Sequence, residues 1–203
     1  IVGLVGASNL STAIIIRGIA VVLVFVASPK YGQFVVMGLL GMGFMGVFLA
    51  LESYRLERIA IWQHPEKYEK GYQTLQGLYA IGSGGLFGRG LGNSVQKLGF
   101  LPEAQNDMIF SIICEELGLF GAGIILLLFL ILIWRFYVTA SRAEDLFGAL
   151  IASGAMAHMM IQVILNISVV TNTIPNTGIT LPFVSYGGTS VVFLLIEMGL
   201  VFS

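Results

Sequence analysis

Residues 100–116 read Phe-Leu-Pro-Glu-Ala-Gln-Asn-Asp-Met-Ile-Phe-Ser-Ile-Ile-Cys-Glu-Glu, and the apolar run Leu117–Tyr137 follows them directly. The first stretch carries four acids in a chain that is otherwise mostly apolar. Asp107 lies at the point where a polar loop becomes a helix. Two roles suit an acid there: an N-cap on the helix that enters the apolar run, or a carboxylate held against a ligand at a membrane surface.

The composition is that of an integral membrane protein. Of 203 residues, 57% are apolar and only 10% are charged, against roughly 25% charged in soluble domains. The net charge of −1 does not indicate a nucleic-acid partner. The single cysteine, Cys114, excludes an internal disulfide and a cysteine-based metal cluster. Because the chain begins with Ile1 in apolar sequence, we expect it to be a piece of a longer protein.

Five apolar runs are each long enough to cross the hydrocarbon of a bilayer. We therefore predict an all-α, polytopic membrane helical bundle, in which residues 1–203 belong to one transmembrane domain. The predicted spans are about 10–27, 31–51, 117–137, 147–170 and 186–202, with one large loop at about 52–116.

The orientation follows from basic residues in the short loops. Lys30 lies in one such loop, and Arg135 and Arg142 flank another, whereas the loop 171–185 has no lysine or arginine. The positive-inside rule places the basic loops in the cytoplasm. The large loop and Asp107 are then predicted to be extracytoplasmic.

Residues 79–94 are unusually rich in glycine. They lack the spacing of a nucleotide-binding P-loop that ends in Gly-Lys-Ser/Thr. Two interpretations stay open: irregular backbone lining a cavity, or a flexible loop.

Polar residues also occur inside the predicted spans. His158, Gln162 and Asn166 recur every fourth residue, which favours hydrogen bonding between helices over a metal site with one histidine. Arg17 and Glu197 either pair with each other, or Arg17 faces a different partner.

Four stretches carry a family resemblance. They are residues 80–88 (Ala-Ile-Gly-Ser-Gly-Gly-Leu-Phe-Gly), 101–104 (Leu-Pro-Glu-Ala) with Asp107, 175–179 (Pro-Asn-Thr-Gly-Ile) and 181–190 (Leu-Pro-Phe-Val-Ser-Tyr-Gly-Gly-Thr-Ser). Together they resemble the FtsW/RodA/SpoVE (SEDS) family over nearly the whole chain. Asn93-Ser94 and Gln96-Lys97 are more similar to the division and sporulation branch than to the elongation branch.

The resemblance implies a multi-pass protein of the bacterial plasma membrane that polymerises peptidoglycan from lipid II. The family has ten helices, so this chain would be the C-terminal half. The implied partners are lipid II, a class B penicillin-binding protein with transpeptidase activity, and divisome or related membrane proteins. Two alternatives stay open: a lipid II flippase or transporter, and a non-catalytic scaffold for a penicillin-binding protein.

Asp107 matches the family's essential aspartate, and the resemblance implies that it is the catalytic base. A carboxylate in this role takes the proton of a sugar hydroxyl that attacks the lipid-linked donor. The chain departs from the family at Gln105-Asn106, where many members have His-Thr or Gln-Thr, and at Ser8-Asn9, where many have Pro-Asp. These positions are therefore doubtful as catalytic groups.

The leaving pyrophosphate needs positive charge, either from basic side chains or from a divalent cation such as Mg²⁺ or Mn²⁺. Interfacial anchoring is the competing role for each basic residue. The candidate substrate-binding residues are Arg55, Arg58, Arg89, Lys97, Glu103 and Ser185.

Overall fold

The computed structural model describes residues 10–28 and 53–203, together with positions 32, 36, 38 and 41. Every regular element in these ranges is helical. The predicted span 31–51 therefore lies outside the described residues except at those four positions. Six α-helices lie within the two continuous described ranges: α1 Leu10–Ala27, α2 Ser53–Gln63, α3 Tyr72–Gly84, α4 Ile109–Ser141, α5 Leu146–Val170 and α6 Gly188–Phe202. Three short 3-10 helices, Pro65–Lys67, Glu69–Gly71 and Gln96–Leu98, lie between them.

Two of these helices, α4 and α5, are long and apolar enough to cross a membrane, judged by length and composition. At about 1.5 Å per residue the 33 residues of α4 extend roughly 50 Å, well beyond the roughly 30 Å of hydrocarbon. Helices α1 and α6 are apolar but shorter. The section predicted as a large loop, 52–116, contains α2, α3 and the start of α4.

Helix α5 occupies the middle of the bundle and packs against α1, α4 and α6. It begins at the N-cap Asp145, whose Oδ1 accepts a 2.7 Å hydrogen bond from the Gly148 N–H. Small buried residues on α5 allow close approach of its neighbours: Ala152, Ser153, Ala155 and Ala157.

One face of α4 is exposed and apolar. Its large side chains recur every three or four residues and are each at least 45% exposed: Phe120, Ile124, Leu127, Ile131 and Trp134. Such a continuous apolar stripe is unfavourable in water but suits lipid tails. The packing therefore agrees with a membrane setting for α4.

A break interrupts α4 at Gly118, where φ is 69° and ψ is −173°. The glycine-rich segment after α3 completes the hydrogen bonding that this break leaves open. Four backbone bonds of 2.9–3.0 Å join them: Arg89 N–H to Glu115 O, Gly90 N–H to Glu116 O, Leu119 N–H to Gly85 O, and Phe120 N–H to Leu86 O. A Cβ at Gly118 would lie 2.4 Å from the Gly88 nitrogen. The backbone of α4 and that of the glycine-rich segment are therefore in direct contact. The segment is thus irregular backbone held against a helix, rather than a flexible loop.

Inside the bundle, His158 on α5 lies beside Glu197 on α6, with 2.8 Å between Nδ1 and Oε2. The sequence left two partners open for Arg17, namely Glu197 or a different residue. The structure places the Arg17 guanidinium against Gly41, where an added Cβ would lie 1.8 Å from Nη2. His158, the first residue of the polar stripe of α5, therefore does link two helices, as the spacing of the stripe predicted.

Candidate active site

Asp107 lies in a turn before α4, and only 7% of the residue is exposed. The helix begins at Ile109, and its N-cap position is Met108, which makes no side-chain cap. The N-cap role predicted as one alternative for Asp107 is therefore wrong. Gln73, from 34 residues earlier in the chain, donates to the carboxylate from another part of the structure.

Hydrogen bonds hold the turn on both sides of Asp107. The Glu103 carbonyl accepts hydrogen bonds from the backbone N–H of Asn106 (2.9 Å) and Met108 (3.4 Å), while the Glu103 carboxylate accepts one from the Asn106 side chain. Ser185 Oγ donates to the Asn106 carbonyl at 2.6 Å. Both Glu103 and Ser185, predicted as substrate-binding residues, thus hold the turn that presents Asp107.

A cavity of about 270 Å³ opens beside the Asp107 carboxylate. Two cationic side chains, Arg58 and Lys70, line it together with that carboxylate. The other lining residues come from α2, α3 and the loop after α5: Ile61, Trp62, Thr74, Asn172, Asn176, Thr177 and Gly178. The cavity therefore combines one acid, two cations and several amide and hydroxyl groups.

A chain of hydrogen bonds connects Arg58 to Asp107. Arg58 Nη1 donates to the Asn176 carbonyl at 3.1 Å. Asn176 Nδ2 donates to Gln73 Oε1 at 3.1 Å, and Gln73 Nε2 lies 3.4 Å from each carboxylate oxygen of Asp107. Arg58 and Asp107 therefore belong to one hydrogen-bond network.

Burial raises the pKa of the Asp107 carboxyl above its ordinary value, and the nearby negative charge of Glu103 raises it further. Hydrogen bonds from Gln73 and from the backbone of Asp107 and Met108 act in the opposite direction. A carboxylate with a raised pKa accepts a proton more strongly than an exposed aspartate does. Asp107 is thus suited to act as a general base.

Arg89 and Lys97 lie elsewhere and form ion pairs with the two acids of α4. Arg89 Nη1 is 3.2 Å from Glu115, which is 1% exposed, and Lys97 Nζ is 2.6 Å from Glu116. Glu115 also accepts hydrogen bonds from the Ser94 hydroxyl at 2.5 Å and from three further donors: Ser83 Oγ, the Val95 N–H and the Gln96 N–H. These contacts tie the segment after α3 to α4, and neither basic residue lines the cavity of Asp107.

The predicted residues thus fall into separate groups. Arg58 shares the cavity with Asp107, and the Arg55 side chain lies outside the described part of the chain. Glu103 and Lys97 line a second, more open cavity of about 620 Å³. The sequence reasoning missed Lys70 and Gln73, because their proximity to Asp107 depends on tertiary packing across more than 30 residues.

A divalent cation has few protein ligands here. Among the described residues, no group of three or more His, Cys, Asp or Glu side chains could hold a metal ion. Asp107 is the one carboxylate that lines the 270 Å³ cavity. Mg²⁺ is commonly held by one or two carboxylates, substrate phosphates and water, so the predicted cation would depend on substrate and water for most of its ligands.

Comparison with known proteins gives a consistent result. A family model described as "Cell cycle protein", covering FtsW, RodA and SpoVE, matches residues 1–203. "Stage V sporulation protein E" of Bacillus subtilis is 47% identical over 194 residues, which cover 94% of this chain and 53% of that protein. A "Probable peptidoglycan glycosyltransferase FtsW" of Coxiella burnetii is 39% identical over 198 residues, 95% of this chain and 53% of that protein.

Among solved structures, a chain from "Structural coordination of polymerization and crosslinking by a peptidoglycan synthase complex" superposes with a TM-score of 0.77 at 27% identity. The match covers 98% of this chain and 56% of the other. The chain therefore spans about half the length of the relatives it matches.

Proposed function

The chain belongs to the FtsW, RodA and SpoVE family, and we propose that its protein is a peptidoglycan glycosyltransferase that extends glycan strands from lipid II. The observation that carries this proposal is the buried Asp107 carboxylate in a cavity shared with Arg58 and Lys70. The names of the relatives, a sporulation protein and FtsW glycosyltransferases, confirm the resemblance to the division and sporulation branch.

The proposed reaction uses one base and two cations. Asp107 takes the proton of the acceptor sugar's 4-hydroxyl while that oxygen bonds to the anomeric carbon of the donor. The bond from that carbon to the lipid pyrophosphate breaks, and the pyrophosphate leaves with the bonding electrons. Arg58 and Lys70 face the negative charge that develops on it.

A bound Mg²⁺ or Mn²⁺ would add charge neutralisation at the pyrophosphate. Of the residues that line the cavity, Asp107 would be the one able to offer such an ion a carboxylate oxygen, and Arg58 and Lys70 would supply positive charge to the phosphates. The hydrogen bonds from Gln73 keep that carboxylate oriented toward the cavity.

We further propose that the protein crosses the bacterial plasma membrane several times, with five spans in this chain and the section 52–116 outside. The exposed apolar stripe of α4 and the lengths of α4 and α5 support this arrangement. Asp107 would then lie near the outer surface, where a lipid-linked donor presents its sugar.

We propose a class B penicillin-binding protein as the partner, together with other division or sporulation proteins of the membrane. The solved structure with the same fold belongs to a peptidoglycan synthase complex that coordinates polymerisation and crosslinking. A polymerase that hands its product to a crosslinking enzyme would need such a neighbour.

Reconstitution of the full-length protein in liposomes with lipid II tests the proposed function. Glycan polymer on a gel is the expected product. Translocation of lipid II without polymer would instead show a flippase, and neither activity would show a scaffold. Each of these two results would overturn the proposal that the protein is a glycosyltransferase.

A further inference from the structure

Asn166 is a fully buried residue of α5, with 0% of its surface exposed. Its side-chain Nδ2 donates two hydrogen bonds, each 2.7 Å long, to the backbone carbonyls of Asp107 and Ile179. One bond therefore reaches the turn before α4, and the other reaches the loop between α5 and α6. A single amide thus joins three parts of the chain.

The amide serves as a donor only. Its Oδ1 is buried and has no hydrogen-bond partner within the described part of the chain. Leaving a buried acceptor unpaired costs stability. Both partners of Nδ2 are carbonyl oxygens, so the amide cannot be turned around to remedy this. A residue kept only to pack two helices would not need such an arrangement.

The two carbonyls belong to two segments that contribute to the lining of the Asp107 cavity, the turn before α4 and the loop between α5 and α6. The first is that of Asp107 itself. The second, that of Ile179, lies three residues after Asn176, whose side chain donates to Gln73 Oε1, while Gln73 Nε2 faces the Asp107 carboxylate. Asn166 therefore fixes the backbone of the acid and the loop that helps orient its side chain.

We infer that Asn166 is a positioning residue, which holds Asp107 and the Asn176 loop in their reactive geometry through the two carbonyls. The inference rests on the proposed function, because it assigns a role in that reaction. Asn166 touches neither reacting atom, so its effect is indirect. Misplacing a catalytic group by about 1 Å costs about 10²-fold in rate.

The test compares Asn166→Leu and Asn166→Ser with Gln162→Met in the full-length protein. Leucine removes both donors at similar volume, and serine keeps one donor. Gln162 lies one turn earlier on α5, which makes it the matched control. We expect Asn166→Leu to lower kcat for polymerisation by about 10²-fold with a smaller change in KM, and Asn166→Ser to lie between that variant and wild type.

The pH profile separates positioning from simple loss of folded protein. Burial keeps the pKa of Asp107 raised, and a loosened turn admits water, which lowers that pKa. The acid limb of the rate profile should therefore move to lower pH in both Asn166 variants. A rate that falls without a shift of this limb, or wild-type rates in both variants, would overturn the inference. Failure of both variants to fold, with Gln162→Met folded, would make Asn166 a structural residue and would overturn it as well.

A second readout needs no polymerase activity. In a Cys114→Ser background, the thiol introduced by Asp107→Cys should react slowly with an impermeant maleimide, and faster when Asn166→Leu is added. Equal labelling rates in correctly folded protein would contradict the positioning role. This result stands even if wild-type protein makes no polymer, in which case the proposed function fails on its own.

Discussion

The side-chain amide of Gln73 faces both carboxylate oxygens of Asp107, with 3.4 Å between Nε2 and each of them. Gln73 lies in the first turn of α3, and Asp107 lies 34 residues later in the turn before α4. The same amide accepts a hydrogen bond from Asn176 through Oε1. The orientation of Asp107 therefore depends on two other segments of the protein.

Gln73→Glu should shift the pH dependence of polymerisation. The new carboxylate keeps its acceptor for Asn176 but places a negative charge beside Asp107, which raises the pKa of Asp107 further. Because a general base works only when deprotonated, the acid limb of the rate profile should move to higher pH.

Gln76→Glu adds the same charge one turn along α3 and serves as the control. It should shift the profile less than Gln73→Glu does, since it is Gln73 whose side-chain amide lies 3.4 Å from the Asp107 carboxylate oxygens. Equal shifts from the two variants would show that Gln73 has no special relation to Asp107.

The sequence predicted the all-helical class, the long apolar helices α4 and α5, and the location of the Asp107 turn, because apolar runs and family motifs are local signals. It could not predict which basic residues meet Asp107. Arg89 and Lys97 look equivalent to Arg58 along the chain, yet they contact Glu115 and Glu116. That difference arises from the break in α4, which brings the segment after α3 against the helix.

The break itself can be tested with Gly118→Ala. Alanine there would meet the Gly88 nitrogen and would have to adopt a backbone conformation that is essentially restricted to glycine. We expect a loss of about 1–3 kcal/mol in the free energy of unfolding, measured in detergent. Gly123→Ala, in open space on the same helix, should be neutral or stabilising by up to about 1 kcal/mol. A similar effect of both changes would argue against the interlocked break.

Glu115→Gln should destabilise the protein by about 1–3 kcal/mol. Its amide would turn an N–H₂ group toward donors that now face a carboxylate, among them the Ser94 hydroxyl and the Val95 N–H. Glu116→Gln, whose side chain is more exposed, should cost less than about 1 kcal/mol. Thermal unfolding of the two variants measures the difference, and a larger loss for Glu116→Gln would contradict the buried role of Glu115.

Arg58→Gln and Lys70→Gln should each reduce polymerisation by about 10²-fold, because each removes a positive charge that lines the cavity beside Asp107. Lys67→Gln removes an equal charge from an exposed position outside the cavity lining. It should leave the rate near that of the wild type. If Lys67→Gln reduces the rate as strongly, the effect is one of overall surface charge.

The central claim is that the Asp107 carboxylate is the general base. Asp107→Asn keeps the size of the side chain and its position in the turn but removes a group that accepts a proton near neutral pH. Asp145→Asn makes the same change at the N-cap of α5, where asparagine caps as well as aspartate does. General-base assistance is typically worth about 10²–10⁴-fold in rate.

The most direct measurement is the initial rate of lipid II polymerisation by full-length Asp107→Asn, Asp145→Asn and wild-type protein, at equal amounts of folded protein in liposomes. The account predicts a rate for Asp107→Asn lower by about 10²-fold or more, with Asp145→Asn near the wild type. A near-wild-type rate for Asp107→Asn would contradict it and would place the base at another residue.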